Sequence, residues 1–565
     1  MPESLPAGQF SGPFSASRTW TWLFVAAVVL GALLRVDQFA AQVLIDDEWH
    51  AVHQLLRLAP AQMFVDFGHA DYSIPLGLLD WLESRAFGLS ETAMRLPMLG
   101  CGLATLVLFP FYVAPRLGRA TAAVFAVLLG IAPLLVIYSR MARPYAITLL
   151  LVWVAHAAFQ QYDAARINMR GAGAVYAVAA TLAAWLHPII APFVVAPFLF
   201  ALSDLRRESA PLRRARFIRL AALALATAVP MAALLLPPLL AHPEALTGKA
   251  GIDRPGIDTL VGVWYAWLGT PYTLAVLACV ALAAFGARDV WRALPVARTA
   301  VLGIVLTLVA VTLTGIAWSH NPLTLARYLL PFAPLLLLAT AAGAVKAAKH
   351  VAAPGRPVRN AAGALIALVP ALALAVESPL IPLVRHPNTQ TIHLLYHVDF
   401  RPERNPYLPY MAKIPLSPFW ASLAAAPRAS LRIAAAPFYF ESYDWDAPRW
   451  EQIGGQAVIP GFLTGLCVEQ RAGEAPPTPA FRFQNAVHLA DKAALAAHRI
   501  DYVVWQKPFV QTGRGQRENI GADTAHCEAA LRERFGAPAF EDAHLIAFRL
   551  SPDAAAAAPA PRAER

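Results

Sequence analysis

Ile45-Asp46-Asp47-Glu48-Trp49-His50 decides how this chain is read, because three consecutive carboxylates stand between two long apolar runs. An ionised Asp near the bilayer centre costs roughly 2.5–3.5 kcal/mol even on insertion scales. Such a cluster belongs outside the hydrocarbon, in a loop laid on the membrane surface. His53, Asp66, His69, Asp71, Tyr72 and Arg95 follow within the same stretch. That density of polar groups suits the rim of an active site better than a connector.

The surrounding composition is that of a polytopic membrane protein. Of 565 residues, 58% are hydrophobic and 15% charged, and the mean hydropathy is +0.50. Soluble domains carry about a quarter charged residues. The net charge of +10 could point to nucleic acid, but the arginines cluster in short segments between apolar runs, where they set membrane orientation. No nucleic-acid partner is expected. The four cysteines show no metal-ligand spacing, and Cys101 and Cys279 fall inside apolar runs.

The run 19–34, flanked by Arg18 and Arg35, lacks a small-residue cleavage site. It reads as an uncleaved first span, both arginines snorkelling to the interfaces. Residues 47–58 and 74–87 read as short amphipathic helices, lying in the interface or packed on the bundle. Against a need of ~20 residues per span, further spans are expected at 93–114, 121–138, 145–160, 174–186, 189–201, 220–240, 260–284, 300–318, 328–345 and 361–384. With the first span the total is about eleven, and the pair around His187-Pro188 also reads as one bent element.

With the N-terminus in the cytoplasm, the inner connections hold Arg116, Arg119, Arg166 and Arg170, then six arginines from Arg206 to Arg219. Arg288, Arg292, Arg298, Lys346, Lys349, Arg356 and Arg359 continue the series. The outer connections hold chiefly Arg140, Arg143, Lys249, Arg254 and Arg327. This positive-inside asymmetry places the carboxylate loop and the C-terminal region outside.

Three parts are expected. Residues 1–384 form a transmembrane domain whose first outer loop, 36–97, carries the site. Residues 385–550 form an extracytoplasmic α/β domain, and the Ala- and Pro-rich tail 551–565 is disordered. Within the α/β domain, 431–435, 502–505 and 544–550 read as strands and 490–498 and 524–535 as helices. Cys467 and Cys527 both fall there, and an oxidising compartment permits a disulfide between them.

Several segments carry a resemblance. Arg35, Asp47-Glu48 before an aromatic, Ser73-Ile74-Pro75-Leu76 and Ser90-Glu91-Thr92-Ala93-Met94-Arg95-Leu96-Pro97 resemble the first large loop of the GT-C glycosyltransferases that use polyprenyl-phosphate sugars. Protein O-mannosyltransferases and lipid A aminoarabinose transferases belong to that group. Tyr138-Ser139-Arg140-Met141-Ala142-Arg143-Pro144-Tyr145-Ala146 and Ala326-Arg327-Tyr328-Leu329-Leu330-Pro331 are similar to two further motifs of the group. The likeness covers residues 35 to about 345 and leaves the C-terminal domain unmatched.

The resemblance implies transfer from a lipid phosphate, which needs a carboxylate to take the acceptor's proton and cations for the departing phosphate. Asp47 matches the family position of the base. Asp46 is an extra carboxylate, so the choice between Asp46 and Asp47 stays open, with Glu48 beside them. Arg140, Arg143 and Arg327 are the phosphate candidates, since guanidinium forks suit phosphate oxygens; anchoring of span ends to headgroups is the competing reading. Tyr145 and Tyr328 stand in the same motifs. His69 and Asp71 line the cavity or are solvated loop residues. His187 caps its helix or touches substrate.

His50 and His53 could hold a divalent metal, though their spacing is not a zincin motif; no other cofactor is called for. Asp444-Trp445-Asp446 is a literal Asp-X-Asp without a nucleotide-binding pattern, and reads as surface loop chemistry.

The expectation is an inner-membrane, cell-envelope glycosyltransferase that moves a hexosyl or pentosyl group, with inversion, from a polyprenyl-phosphate donor. The acceptor would be a hydroxyl or amine of a lipid, glycan or protein. Alternatives are a transporter or flippase of lipid-linked saccharides, or a polymerase of them. A transporter would show internal repeats and a polar site midway across; neither is evident.

Overall fold

The computed structural model describes residues 18–37, 39–40, 44, 46–67, 73–164, 169–251, 253–270, 272–352, 357–375, 408–437, 442–469, 474–513 and 516–550. His69, Asp71 and the tail 551–565 lie outside these. The chain divides into two compact units. One takes Met1–Asp37, Ala61–Leu76 and Arg95–Asp399, and the other Gln38–Pro60, Gly77–Met94 and Phe400–Arg565.

The first unit is helical, and the protein is a multi-pass membrane protein. Nine described helices are long and apolar enough to cross a bilayer: Arg18–Val36, Glu91–Leu117, Met169–Leu186, Pro188–Arg207, Ala210–Ala241, Thr273–Ala293, Pro295–Thr314, Leu330–Val351 and Val358–Ala375. The remaining expected spans differ for local reasons. The run 121–138 breaks at Pro133 into Arg119–Ile131 and Pro133–Tyr138, because proline lacks the amide a continuous helix needs. Tyr145–Asp163 is 19 residues long but carries His156, Gln160, Gln161 and Asp163. The run 260–284 is two helices, Ile257–Leu268 and Thr273–Ala293. The first ends on Gly269 in the left-handed region, a usual helix stop. His187-Pro188 separates two helices through a short 3-10 turn, Pro188–Ile190.

Without water to drive association, membrane helices pack closely through small residues. A methyl on Gly343 would run into the carbonyl of Leu282, and one on Gly286 into that of Ala339. The helices carrying these glycines meet backbone to backbone. Buried leucines and alanines of Ala333–Val351 continue the same core.

Arg35 does not snorkel. It is buried, and donates to Ser139 Oγ at 3.2 Å and to the carbonyls of Gly31, Gly130 and Leu129 at 2.8, 3.2 and 3.1 Å. The helix end of Gly130 and Leu129 presents carbonyls with no partner further along their own helix, and these accept the guanidinium.

The second unit is α/β. Its sheet has strands β1 (Arg432–Ala436), β2 (Ala457–Phe462), β3 (Val487–His488) and β4 (Tyr502–Gln506). A separate hairpin, β5 (Phe509–Gly513) and β6 (Gln516–Ile520), precedes β7 (Phe540–Glu541) and β8 (Leu545–Arg549). The sheet order is β3-β2-β1-β4-β8-β7. The first four strands are parallel, and β8 is antiparallel to both its neighbours. Helix Ser442–Gly454 crosses from β1 to its parallel neighbour β2, as parallel pairing requires; Lys492–Ala497 leads into β4 and Cys527–Phe535 into β7. Cys467 and Cys527 form a disulfide with a Cα–Cα distance of 5.4 Å. Asp446 is not surface chemistry: it lies buried in its helix, where Oδ1 accepts from the amides of Lys413 and Ile414 at 2.8 Å each.

Candidate active site

The described candidate residues fall into two groups, one in each unit, and each group has its own construction.

In the membrane unit, three proline-marked helix breaks converge. Pro144 stands immediately before the helix Tyr145–Asp163, with Arg140 and Arg143 in the turn ahead of it. His187 precedes the 3-10 turn that begins at Pro188. Arg327 lies in the last turn of Pro322–Tyr328, just before the 3-10 turn Leu330–Phe332 that holds Pro331. The breaks free side chains from the regular helical spacing and aim several at one place. The Arg327 guanidinium lies 5.7 Å from the ring centre of Tyr145 and 5.8 Å from that of Tyr328. His187 packs against the same two rings, at 5.4 and 5.7 Å, and Tyr138 lies 4.6 Å from Tyr145.

The electrostatics of this cluster are cationic. Burial, then the charges of Arg143 and Arg327, drive His187 down to about 3, which favours its neutral imidazole. Aromatic faces stabilise such cations by about 0.5–2 kcal/mol each. Two indoles fix the segment that carries Arg327: Trp267 Nε1 donates to the Ala326 carbonyl at 3.0 Å, and Trp153 Nε1 to that of Pro331 at 3.1 Å.

Arg140 is buried too, but its surroundings differ. It donates to the Leu34 carbonyl at 2.8 Å. Burial and then the charge of Arg95 pull it down to about 10, with Asp37 working against them. A methyl on Gly102 would collide with Ser139, the side chain that supports Arg35. Small size at position 102 therefore keeps this neighbourhood of Arg35 intact.

In the α/β unit, Asp46–Glu48 form a single 3-10 turn leading into the helix Trp49–Arg57. The Asp47 side chain is 18% exposed, and its Oδ1 lies 3.6 Å from Nε2 of His50. Glu48 is fully buried, so of these two carboxylates Asp47 is the one open to a solvent-borne group. The Asp46 side chain lies outside the described residues. His53 is buried, and among the described residues no three His, Cys, Asp or Glu side chains gather as a metal site.

Sequence reasoning missed the supports of both groups. Trp153 and Trp267 look like filler inside apolar runs, and nothing local marks their indole hydrogen bonds. Glu91 was noted only within a motif. In the structure its carboxylate accepts the amides of Gln484 and Asn485 at 2.8 and 2.9 Å.

No family model matches the sequence, and no curated protein matches it. Among solved structures, ArnT from Cupriavidus metallidurans bound to undecaprenyl phosphate is 14% identical. The match covers 94% of this chain and 98% of that one, with a TM-score of 0.46. The Archaeoglobus fulgidus oligosaccharyltransferase in complex with Zn and sulfate is 12% identical over 88% of this chain and 72% of that one, with a TM-score of 0.38. A likeness of this degree assigns no activity.

Proposed function

We propose that the protein is an integral-membrane glycosyltransferase of the GT-C type that uses a polyprenyl-phosphate sugar. The observation that carries this reading is the meeting of two motif segments far apart in sequence. Arg143 and Tyr145 come from one and Arg327 and Tyr328 from the other, and together they surround His187. A buried guanidinium, Arg143, and a half-buried one, Arg327, beside an imidazole held neutral suit a phosphate ester: the forks take its anionic oxygens, and the imidazole offers one donor and one acceptor.

In the reaction, the Asp47 carboxylate takes the proton of an acceptor hydroxyl or amine. The acceptor atom bonds to the anomeric carbon as the bond from that carbon to the phosphate oxygen breaks. The electron pair leaves with the polyprenyl phosphate, and Arg143 and Arg327 offset the charge it gains. One displacement inverts the anomeric configuration. Orientation follows from the arginine-rich inner connections: the carboxylate turn and the α/β domain belong to the extracytoplasmic side of an inner membrane. Residues 1–384 and 385–550 are assigned as membrane and extracytoplasmic domains on the same ground.

The purified protein is assayed with polyprenyl-phosphate sugars, and the acceptor is identified by mass spectrometry of envelope glycolipids and glycoproteins from a deletion strain. Movement of an intact lipid-linked saccharide across proteoliposomes, without sugar transfer, would replace this reading with the transporter.

A further inference from the structure

One short segment of the α/β unit, Ala480 to Asn485, grips the chain before, at and after the carboxylate turn. Before it, Asn485 Nδ2 donates to the Ala40 carbonyl at 2.8 Å. At it, the buried Trp49 ring sits edge-on to Phe483 at 5.5 Å and to Phe462, the last residue of β2, at 5.9 Å. After it, Leu89 exchanges backbone hydrogen bonds with Ala480 and Arg482 at 2.6 and 2.7 Å, and Glu91 takes the amides of Gln484 and Asn485. Trp49 Nε1 also donates to the Leu44 carbonyl at 2.9 Å, which ties the helix after the turn to the chain ahead of it. The turn itself is a single 3-10 turn of three residues.

From this geometry we infer that the α/β unit is a positioning device for the carboxylate turn, with Trp49, Phe483, Glu91 and Asn485 as positioning residues that act through Asp47. The inference rests on Asp47 being the base. A general base works only within hydrogen-bond reach of the proton it takes, and a misplacement of about 1 Å can cost about 10²-fold in rate. The two carboxylate oxygens of Glu91 are what the paired amides require. Glu91→Gln keeps the shape and leaves one part-buried amide facing a group that cannot accept.

The test uses the full-length protein in detergent or nanodiscs, with turnover and donor KM measured per folded molecule and hydrogen exchange followed over residues 44–52. Glu91→Gln should lower kcat about tenfold or more, leave the donor KM within about twofold, and speed exchange at 44–52 without changing the membrane helices. Asn485→Ala, at a half-buried site, should do the same more weakly and keeps the test open should Glu91→Gln fold poorly. Trp49→Phe should recover most of the turnover lost in Trp49→Leu, because the ring still fills the space against Phe462 and Phe483. Unchanged exchange at 44–52, or kcat lost only in step with folded protein, overturns the inference. An inactive Asp47→Asn beside a fully active Glu91→Gln overturns the positioning role alone. An active Asp47→Asn removes the base assignment and the positioning role with it.

Discussion

Around Arg327 the side chains are placed by interruptions in helices: Pro144, Pro188 and Pro331 stop regular structure, and indoles from neighbouring helices tie down the carbonyls left over. Around Asp47 the local helix is short, and placement comes from a folded domain whose partner residues lie 393 and 394 positions away in sequence. The first arrangement is rigid because its neighbours are packed bundle. The second is rigid only while the domain keeps its fold. Phosphate recognition should therefore tolerate damage to the α/β unit that abolishes proton removal.

The largest expected effect is at the turn. Asp47→Asn keeps volume and removes the basic oxygen, and turnover should fall by about 10²–10⁴-fold with donor binding intact, as read by calorimetry and product formation on the same preparation. Equal loss of donor binding would erase the contrast between the two regions.

Next comes the cluster. Arg327→Ala should lose about 10²-fold in turnover, and Arg327→Lys should recover little, since an ammonium cannot reproduce the planar fork. Full activity in the lysine variant would make Arg327 an anchor.

Arg35 sharpens the comparison from inside the membrane unit. It is buried like Arg143, but its guanidinium is spent on three carbonyls and a hydroxyl. Arg35→Met should cost on the order of 2–3 kcal/mol of stability, seen as a lower unfolding midpoint, with turnover per folded molecule near normal. A selective loss of turnover would move Arg35 into the site.

The smallest effect belongs to Glu83 in the α/β unit, which is buried with Oε2 lacking a hydrogen-bond partner among the described residues. Burial raises it from 4.5 to about 7. The folded state thus favours the protonated acid: its contribution is complete below pH 4.5 and is lost as pH rises through about 7. Glu83→Gln should leave stability unchanged at pH 4 and raise it by about 1–3 kcal/mol at pH 8, measured by denaturant unfolding at both values. A gain that ignores pH would point to packing instead.

Much of the membrane unit was legible because a span is a long apolar run, and several ends fell near the expected positions, although the run 220–240 begins at Ala210. The breaks were harder. Residues 260–284 read as one run because only Gly269, Thr270 and Pro271 interrupt it, and those residues also occur inside spans. In the α/β unit β1, β4 and β8 were recognisable as apolar stretches, whereas β2 was not. Its Pro460 and Gly461 argue against a strand, yet Pro460 still stands opposite Ala435 of β1, and β3 joins β2 only from Gly461 onward. For the site, residue types and motifs were readable while the partners were not. Arg35 at the end of an apolar run looks like a snorkelling cation until the carbonyls of Leu129 and Gly130 are placed beside it. Glu91 looks like one more acid at a helix start until Gln484 and Asn485 arrive.

That last pairing sets a schedule. Glu91 leaves the ribosome 393 residues before Gln484. At synthesis rates of about 5–20 residues per second, roughly 20–80 s separate them. For that interval the carboxylate turn is already made while its cradle does not yet exist, and the cradle's domain also has the Cys467–Cys527 bond to form. A nascent chain would thus acquire the Arg327 cluster first and the seat of Asp47 last. On the proposed function, competence to react would arrive only when the last-made domain has folded and oxidised, and half-built molecules would leave donor in the bilayer untouched.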